Sequence, residues 1–238
     1  MKPILRNGRF PLTVCTAIFA LACGVAQAQV AAQWTFEGSF GMIGGTGTSI
    51  SGIVADQSMF ASTGSVVHAA SSTWSSPVGN GSAHSLSANT WSVGDYYQYR
   101  TSTFGLNNIM VSYDQVSSST GPGNFTFAYS TDGTTFTQFG AAYNVLVNAT
   151  PNIWTSGTPV STTTFTYDLS SILALNNASA VWFRIIDNST VSAGGGTVAT
   201  AGTDRIDNFT VQVVPEPTTA ALAGFGLLTL VFFRRFRR

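Results

Sequence analysis

The sequence predicts an all-β protein, an antiparallel β-sandwich carried between two targeting segments. Period-two runs of apolar and aromatic residues recur at short spacing through the body, residues 29–213, separated by Gly, Asn, Ser and Thr. No strongly helical period appears there, and consecutive strands without intervening helices pack as sheet on sheet. Both cysteines, Cys15 and Cys23, precede this body, so its stability must come from core burial. Its length of roughly 185 residues is sufficient for one core.

Taken in order, Lys2, Arg6 and Arg9 form a positive n-region and Leu12 to Val25 an apolar stretch. Ala26-Gln27-Ala28 then supplies a small-x-small cleavage site, so residues 1–28 read as a signal peptide and Gln29 as the mature N-terminus. Cys23 offers a competing lipoprotein reading, although Ala20 stands where a lipobox usually has Leu.

Ten strands are expected in the body: 33–37, 65–69, 95–101, 108–115, 124–130, 136–140, 143–148, 165–168, 180–187 and 205–213. Ile109, Val111 and Tyr113 share one strand face, and Phe125, Phe127 and Tyr129 share another. Asp132-Gly133, between two aromatic runs, predicts a hairpin turn because both residues tolerate φ > 0. Residues 169–175 predict one short helical turn opened by Asp168 or Ser170. Ser117–Gly123 and Gly194–Gly196 predict flexible loops.

Charge is segregated. The whole chain is neutral, but the body holds only Arg100, Arg184 and Arg205 against nine acids, a net charge of −6. Such a body repels nucleic acid phosphates and suits a polysaccharide- or calcium-rich exterior. A cysteine-free body also excludes disulfides, thiolate metal sites and a cysteine nucleophile.

The last 25 residues carry the clearest message. Pro215 and Pro217 bracket Glu216 and hold the tetrapeptide Val214–Pro217 extended. From Thr218 to Phe233 the chain is uncharged and apolar; as a helix it would be roughly 24 Å long, close to a hydrocarbon core of about 30 Å. Arg234, Arg235, Arg237 and Arg238 then fix the tail's end on the cytoplasmic side. An ordinary single-span anchor with a linker satisfies the same physics. This order of parts resembles the PEP-CTERM sorting signal of Gram-negative bacteria. The apolar run reads as a transmembrane helix at 218–233 with transient residence in the inner membrane, and the cleavage site at 26–28 implies a signal peptidase; the resemblance adds an exosortase as partner and association with extracellular polysaccharide or biofilm matrix.

The body also resembles secreted bacterial jelly-roll modules. The likeness rests on Trp34-Thr-Phe-Glu37-Gly near its start, Tyr129 to Phe136 in its middle and Arg205 to Val211 near its end. In carbohydrate-binding members of that group the first-strand and last-strand acids ligate a structural Ca²⁺. The resemblance places Glu37 and Asp207 there, with Asp56 as a further oxygen donor. The alternative is that Asp207-Asn208 caps a turn and Glu37 pairs with Arg205.

Trp74, Trp91 and Trp154 are the candidate glycan-stacking residues, together with the run 95–100, where alternation sends Tyr97 and Tyr99 to one face and Tyr96 to the other. His68 and His84 stand alone, so no hydrolase triad or zinc site is indicated. No pair of acids is marked for glycosidase chemistry. Two function classes follow: a non-enzymatic, exosortase-sorted surface protein that binds glycan, or a polysaccharide-active hydrolase or lyase on the same sandwich.

Overall fold

A computed structural model describes residues 29–38, 44–149 and 152–215. Its strands, in chain order, are β1 (Gln29–Trp34), β2 (Gly45–Val54), β3 (Gln57–Ser58), β4 (Thr63–Ser75), β5 (Leu86–Ala88), β6 (Tyr96–Thr101) and β7 (Leu106–Ser117). They continue with β8 (Asn124–Ser130), β9 (Thr137–Gln138), β10 (Tyr143–Asn144), β11 (Leu146–Val147), β12 (Thr164–Asp168), β13 (Val181–Asp187) and β14 (Asp204–Pro215). The architecture is the expected all-β sandwich. Every ladder is antiparallel except the short β11–β7 pairing.

One layer runs β2-β4-β6-β13-β8, with β9 and β10 on the outer edge of β8. The other runs β12-β7-β14-β1-β3. β5 pairs with both β4 and β14 and joins the layers. Strict alternation on β6 and β13 sends Tyr97, Tyr99, Thr101, Val181, Phe183, Ile185 and Asp187 inward. Ile109, Val111 and Tyr113 face them from β7, as their spacing predicts.

Aromatic rings fill much of the space between layers. Phe209 stacks on Tyr99 at 3.7 Å between centroids and lies 5.8 Å from both Trp34 and Tyr113. Phe127 stacks on Tyr167 at 4.1 Å. Buried polar ends are used: Trp34 Nε1 donates to Ile53 O at 2.9 Å, and Tyr113 Oη donates to Tyr143 Oη at 2.7 Å.

Several expectations need correction. Residues 45–54 form a strand the pattern does not reveal, because β2 is a half-exposed edge rich in Gly, Ser and Thr with two register irregularities against β4. The hairpin at Asp132-Gly133 exists, but of the two only Gly133 takes positive φ, at 75°. Asp132 Oδ1 accepts from Thr134 N, Thr135 N and Ser130 Oγ, and these donors hold the carboxyl well below its ordinary range. The loops at 117–123 and 194–196 are laced together rather than loose: Ala193 N donates to Gly121 O and Gly194 N to Ser119 O. The short turn is there, a 3₁₀ helix at Leu173–Leu175, with Ser170 N donating to Asp168 Oδ1.

The signal peptide at 1–28, Glu216 and Pro217 of the sorting motif, the apolar run 218–233 and Arg234, Arg235, Arg237 and Arg238 lie outside the described residues. Pro215 is the last residue of β14, opposite Leu106.

Candidate functional site

The three tryptophans singled out for sugar stacking are core residues. Trp74, Trp91 and Trp154 are 4%, 6% and 2% exposed. Trp91 Nε1 donates to Ala88 O and Trp154 Nε1 to Thr163 Oγ1, each at 2.9 Å, while Trp74 packs edge-on against the His68 ring. A sugar ring needs an open aromatic face, and burial removes it here. The physical reason for the correction is that large apolar rings gain most by leaving water, and this cysteine-free core recruits them for that purpose.

The outer face of the β4-β6-β13 sheet offers what the tryptophans do not. Alternation on β6 and β13 turns Tyr96, Gln98, Arg100, Trp182, Arg184 and Ile186 outward, all half-buried. Register sets Arg100 opposite Trp182, Gln98 opposite Arg184 and Tyr96 opposite Ile186. Arg184 lies between two rings, its guanidinium carbon 3.9 Å from the Tyr96 centroid and 3.6 Å from that of Phe136. Its Nε donates to Gln98 Oε1 at 2.8 Å. Arg100 lies 5.5 Å over the Trp182 ring. The Ser130–Phe136 turn folds back so that Gly133 meets the same indole, where a Cβ would stand 2.9 Å from Cε2.

The consequence is electrostatic as well as steric. Two of the body's three arginines stand on this one face, on diagonal neighbours that in a sheet are roughly 7–8 Å apart. Burial lowers the Arg184 pKa from its ordinary value, opposed by Tyr96, but a guanidinium remains charged. Stacking on rings holds each guanidinium in place with little further entropy to lose on binding. Of this group, alternation singled out Tyr96 alone.

Glu37 and Asp207, far apart in sequence, converge on one loop. Asp207 is fully buried; its Oδ2 accepts from Asn80 N at 2.8 Å and Ser82 Oγ at 2.7 Å, and its Oδ1 from Asn208 N at 2.7 Å. Glu37 Oε1 accepts from His84 N at the other end of that loop. Burial raises Asp207 to about 7, opposed by these donors and reinforced by Asp114, its cross-strand neighbour. Ser82 Oγ, His84 O and Asp207 Oδ2 surround the point that a Cβ on Gly79 would occupy. These are hard oxygens of the kind a Ca²⁺ takes, but among the described residues no three His, Cys, Asp or Glu side chains group as a metal site, and both Asp207 oxygens already accept from N–H or O–H donors. Asp56 does not join it: its oxygens accept from Thr35 N, Phe36 N and Gly38 N and hold Phe36 at a φ of 58°. Nor does Glu37 pair with Arg205, which lines a separate cleft with Pro77, Val78 and Trp154.

A third cluster sits on the core face at one end of β4, β6 and β13. His68 Nδ1 lies 3.5 Å from Asp95 Oδ2, whose carboxylate also accepts from Ala69 N and Ser92 N at 2.7 Å each. Burial lowers the His68 pKa against the pull of Asp95 and the Thr90 carbonyl. Asp187 is 1% exposed and its Oδ2 has no hydrogen-bond partner among the described residues. Its pKa is raised to about 6 by burial and the nearby Asp95, against the Ser189 and Asn188 backbone.

A folded pKa of about 6 against an ordinary 3.8 means the folded state holds the proton longer, so stability falls as pH rises from 4 through 6 and levels above. The full shift corresponds to at most about 3 kcal/mol. Asp204 and Asp207 are shifted the same way by burial. Asp187→Asn is therefore expected to flatten, without abolishing, the loss of stability between pH 4.5 and 7.5. Urea melts at the two pH values check this; an unchanged difference would show that Asp187 is solvated.

Residues 213–238 match the PEP-CTERM protein-sorting motif. No curated protein matches the chain. Among solved structures, the K1 cleaved adhesin domain of Lys-gingipain from Porphyromonas gingivalis W83 is 13% identical over 79% of this chain and 97% of that one, with a TM-score of 0.38. A mannan-recognising carbohydrate-binding module, TmCBM27, is 12% identical over 79% and 99%, with a TM-score of 0.37. A promiscuous carbohydrate-binding module of the β-sandwich superfamily is 11% identical over 76% and 61%, with a TM-score of 0.40.

Proposed function

We propose, for a chain that carries a PEP-CTERM sorting motif behind an antiparallel β-sandwich, that the sorted body is a non-catalytic glycan-binding module of the cell surface or extracellular matrix. The motif implies export, transient membrane anchoring and then display. What the displayed body does is carried by one observation, the Tyr96–Arg184–Phe136 stack with Arg100 over Trp182 on the outer sheet face. Ring edges and faces give apolar contact to sugar C–H surfaces, while guanidinium and Gln98 amide groups donate to hydroxyls and carboxylates. Two cations on a face of an otherwise acidic body favour a polysaccharide that bears carboxylates.

The rival hydrolase needs two carboxylates across a cleft. Two clefts among the described residues lack them. The one formed by Asn124, Asn144, Asn188, Ser189 and Ser192 with neighbouring glycines has no acid in its lining, and the one around Arg205 has none either. Calcium at Glu37 and Asp207 would tie the segment just after β1, which ends at Trp34 instead of reaching Glu37, to β14 and hold the Gly79–His84 loop.

Affinity electrophoresis of the purified protein through gels containing alginate, xylan or galactomannan tests the reading. Retardation is expected, strongest in alginate, and Arg184→Ala or Trp182→Ala should weaken it about tenfold or more with the melting temperature nearly unchanged. Equal retardation of the variants would remove the outer face as the site, and release of new reducing ends would favour the enzyme.

A further inference from the structure

The place where the chain leaves the sandwich decides what faces the membrane. β14 brings Val214 and Pro215 alongside Asn107 and Leu106 at the start of β7. β1 begins at the same end, with Gln29 opposite Val213. Both targeting segments therefore attach at one end of the body. The apolar run begins at Thr218, three residues beyond Pro215, and three extended residues reach at most roughly 10 Å. While the tail is inserted, this end of the sandwich is held within that distance of the lipid.

Two turns build the end. Residues 102–105 join β6 to β7, and the 3₁₀ turn Leu173–Leu175 follows β12. They are fastened to each other: Thr103 Oγ1 donates to Leu175 O at 2.6 Å, Gly105 N to Asn177 Oδ1 at 2.8 Å, Asn177 N to Leu106 O at 2.8 Å and Asn108 N to Asn176 Oδ1 at 3.1 Å. On this base stand Phe104, 67% exposed, and Leu173, 76% exposed. No other large apolar side chain among the described residues is as exposed as these two.

Charge agrees with position. Residues 101–113 and 169–183 contain no charged side chain, although the body as a whole is strongly acidic. The opposite end holds Asp95, Asp187 and Asp204. A scattered exposed Leu or Phe is ordinary on any protein surface. Two of them on one rigid tip, flanked in sequence by Arg100 and by the turn-capping Asp168 but carrying no charge of its own, at the point where the tail departs, are not scattered.

We propose that the Phe104–Leu173 tip is a lipid-docking surface that dips into the headgroup region of the membrane while the sorting tail is inserted. This rests on the reading of the tail as membrane-inserted. Apolar side chains at such a depth gain from leaving water. Docking would orient the body and present Pro215-Glu216-Pro217 at a fixed height above the bilayer.

The test uses the full chain with Cys15 and Cys23 replaced by Ser, so that one introduced cysteine carries an environment-sensitive fluorophore. Phe104→Cys and Leu173→Cys label the tip; Val93→Cys and Val191→Cys, exposed at the opposite end, are controls. Reconstituted in phosphatidylethanolamine–phosphatidylglycerol vesicles, the tip labels should shift to the blue and gain roughly threefold protection from iodide, with the control labels unchanged. Tip labels as accessible as the controls, on protein that floats with the vesicles, would overturn the docking. Protein that does not float would overturn the insertion reading and the docking with it. Protection that appears only when an exosortase is co-reconstituted would assign the tip to that enzyme instead of lipid.

Discussion

Replacing Phe209 by alanine should cost about 3–5 kcal/mol, a large part of the 5–15 kcal/mol that holds a typical domain together. Phe209 sits on β14, the strand that pairs with β1, β5 and β7, and its ring meets Tyr99, Trp34, Tyr113 and Phe183 at once. Removing it leaves a void lined by rings that cannot collapse, because each is fixed to a different strand. Urea denaturation followed by tryptophan fluorescence should show the midpoint falling by roughly 1–2 M for a body of this size. Aromatic packing also gives the hole its edge: Tyr99 Oη already has no hydrogen-bond partner in the described structure, so a water admitted beside it would recover part of the loss. A loss below about 1 kcal/mol would mean that the layers close over the gap.

Gly79→Ala should be nearly as damaging and more informative. A methyl group there would occupy the point on which Ser82 Oγ, Asp207 Oδ2 and the His84 carbonyl converge. The serine can rotate away, but a backbone carbonyl and a buried carboxylate cannot. The loop must lift, losing the Asn80 N and Ser82 Oγ bonds to Asp207 and the His84 N bond to Glu37. Leaving a buried carboxylate short of donors costs about 1–3 kcal/mol for each group unmade, so a total near 3 kcal/mol is expected.

The same variant reads the calcium question. If Glu37 and Asp207 hold Ca²⁺, wild-type protein stripped of metal should gain several degrees of melting temperature on adding calcium, about 4 kcal/mol at a thousandfold excess over the dissociation constant. Gly79→Ala should not respond. A wild-type protein equally indifferent to calcium would establish that hydrogen bonds alone hold this loop, with Asp207 as its cap.

Both variants lie where segments distant in sequence meet, and that is where the limit of sequence reading falls. Strand positions were legible because alternation is a local property: Asn124–Ser130 and the bulk of β6, β7, β13 and β14 follow from period-two runs. The edge strand β2 was not, since an edge half open to water has no reason to alternate. Position on a face was likewise legible for Tyr96 against Tyr97 and Tyr99.

Which aromatic residues would be open to a ligand was another matter. Trp74 lies near the end of a long strand, and Trp91 and Trp154 in connecting segments, where no period says inside or outside; the two layers closed over all three. Conversely, Arg184, Trp182 and Phe136 come from a strand and a hairpin turn, and nothing in either run announces that a guanidinium will be stacked between two rings. The first-strand and last-strand acids fall between these cases. Family resemblance put Glu37 and Asp207 together, but only the folded Gly79–His84 loop shows what joins them, and it removes Asp56 from the group.

By itself, then, the sequence determined the all-β class, the segregation of charge into the two ends and the sorting tail, because composition, period and order along the chain suffice for those. The tertiary structure decided which faces are open, which acids are buried and which end of the body stands next to the tail. These depend on pairing between residues tens of positions apart, such as Pro215 with Leu106 and Phe209 with Trp34, and no local pattern encodes that pairing.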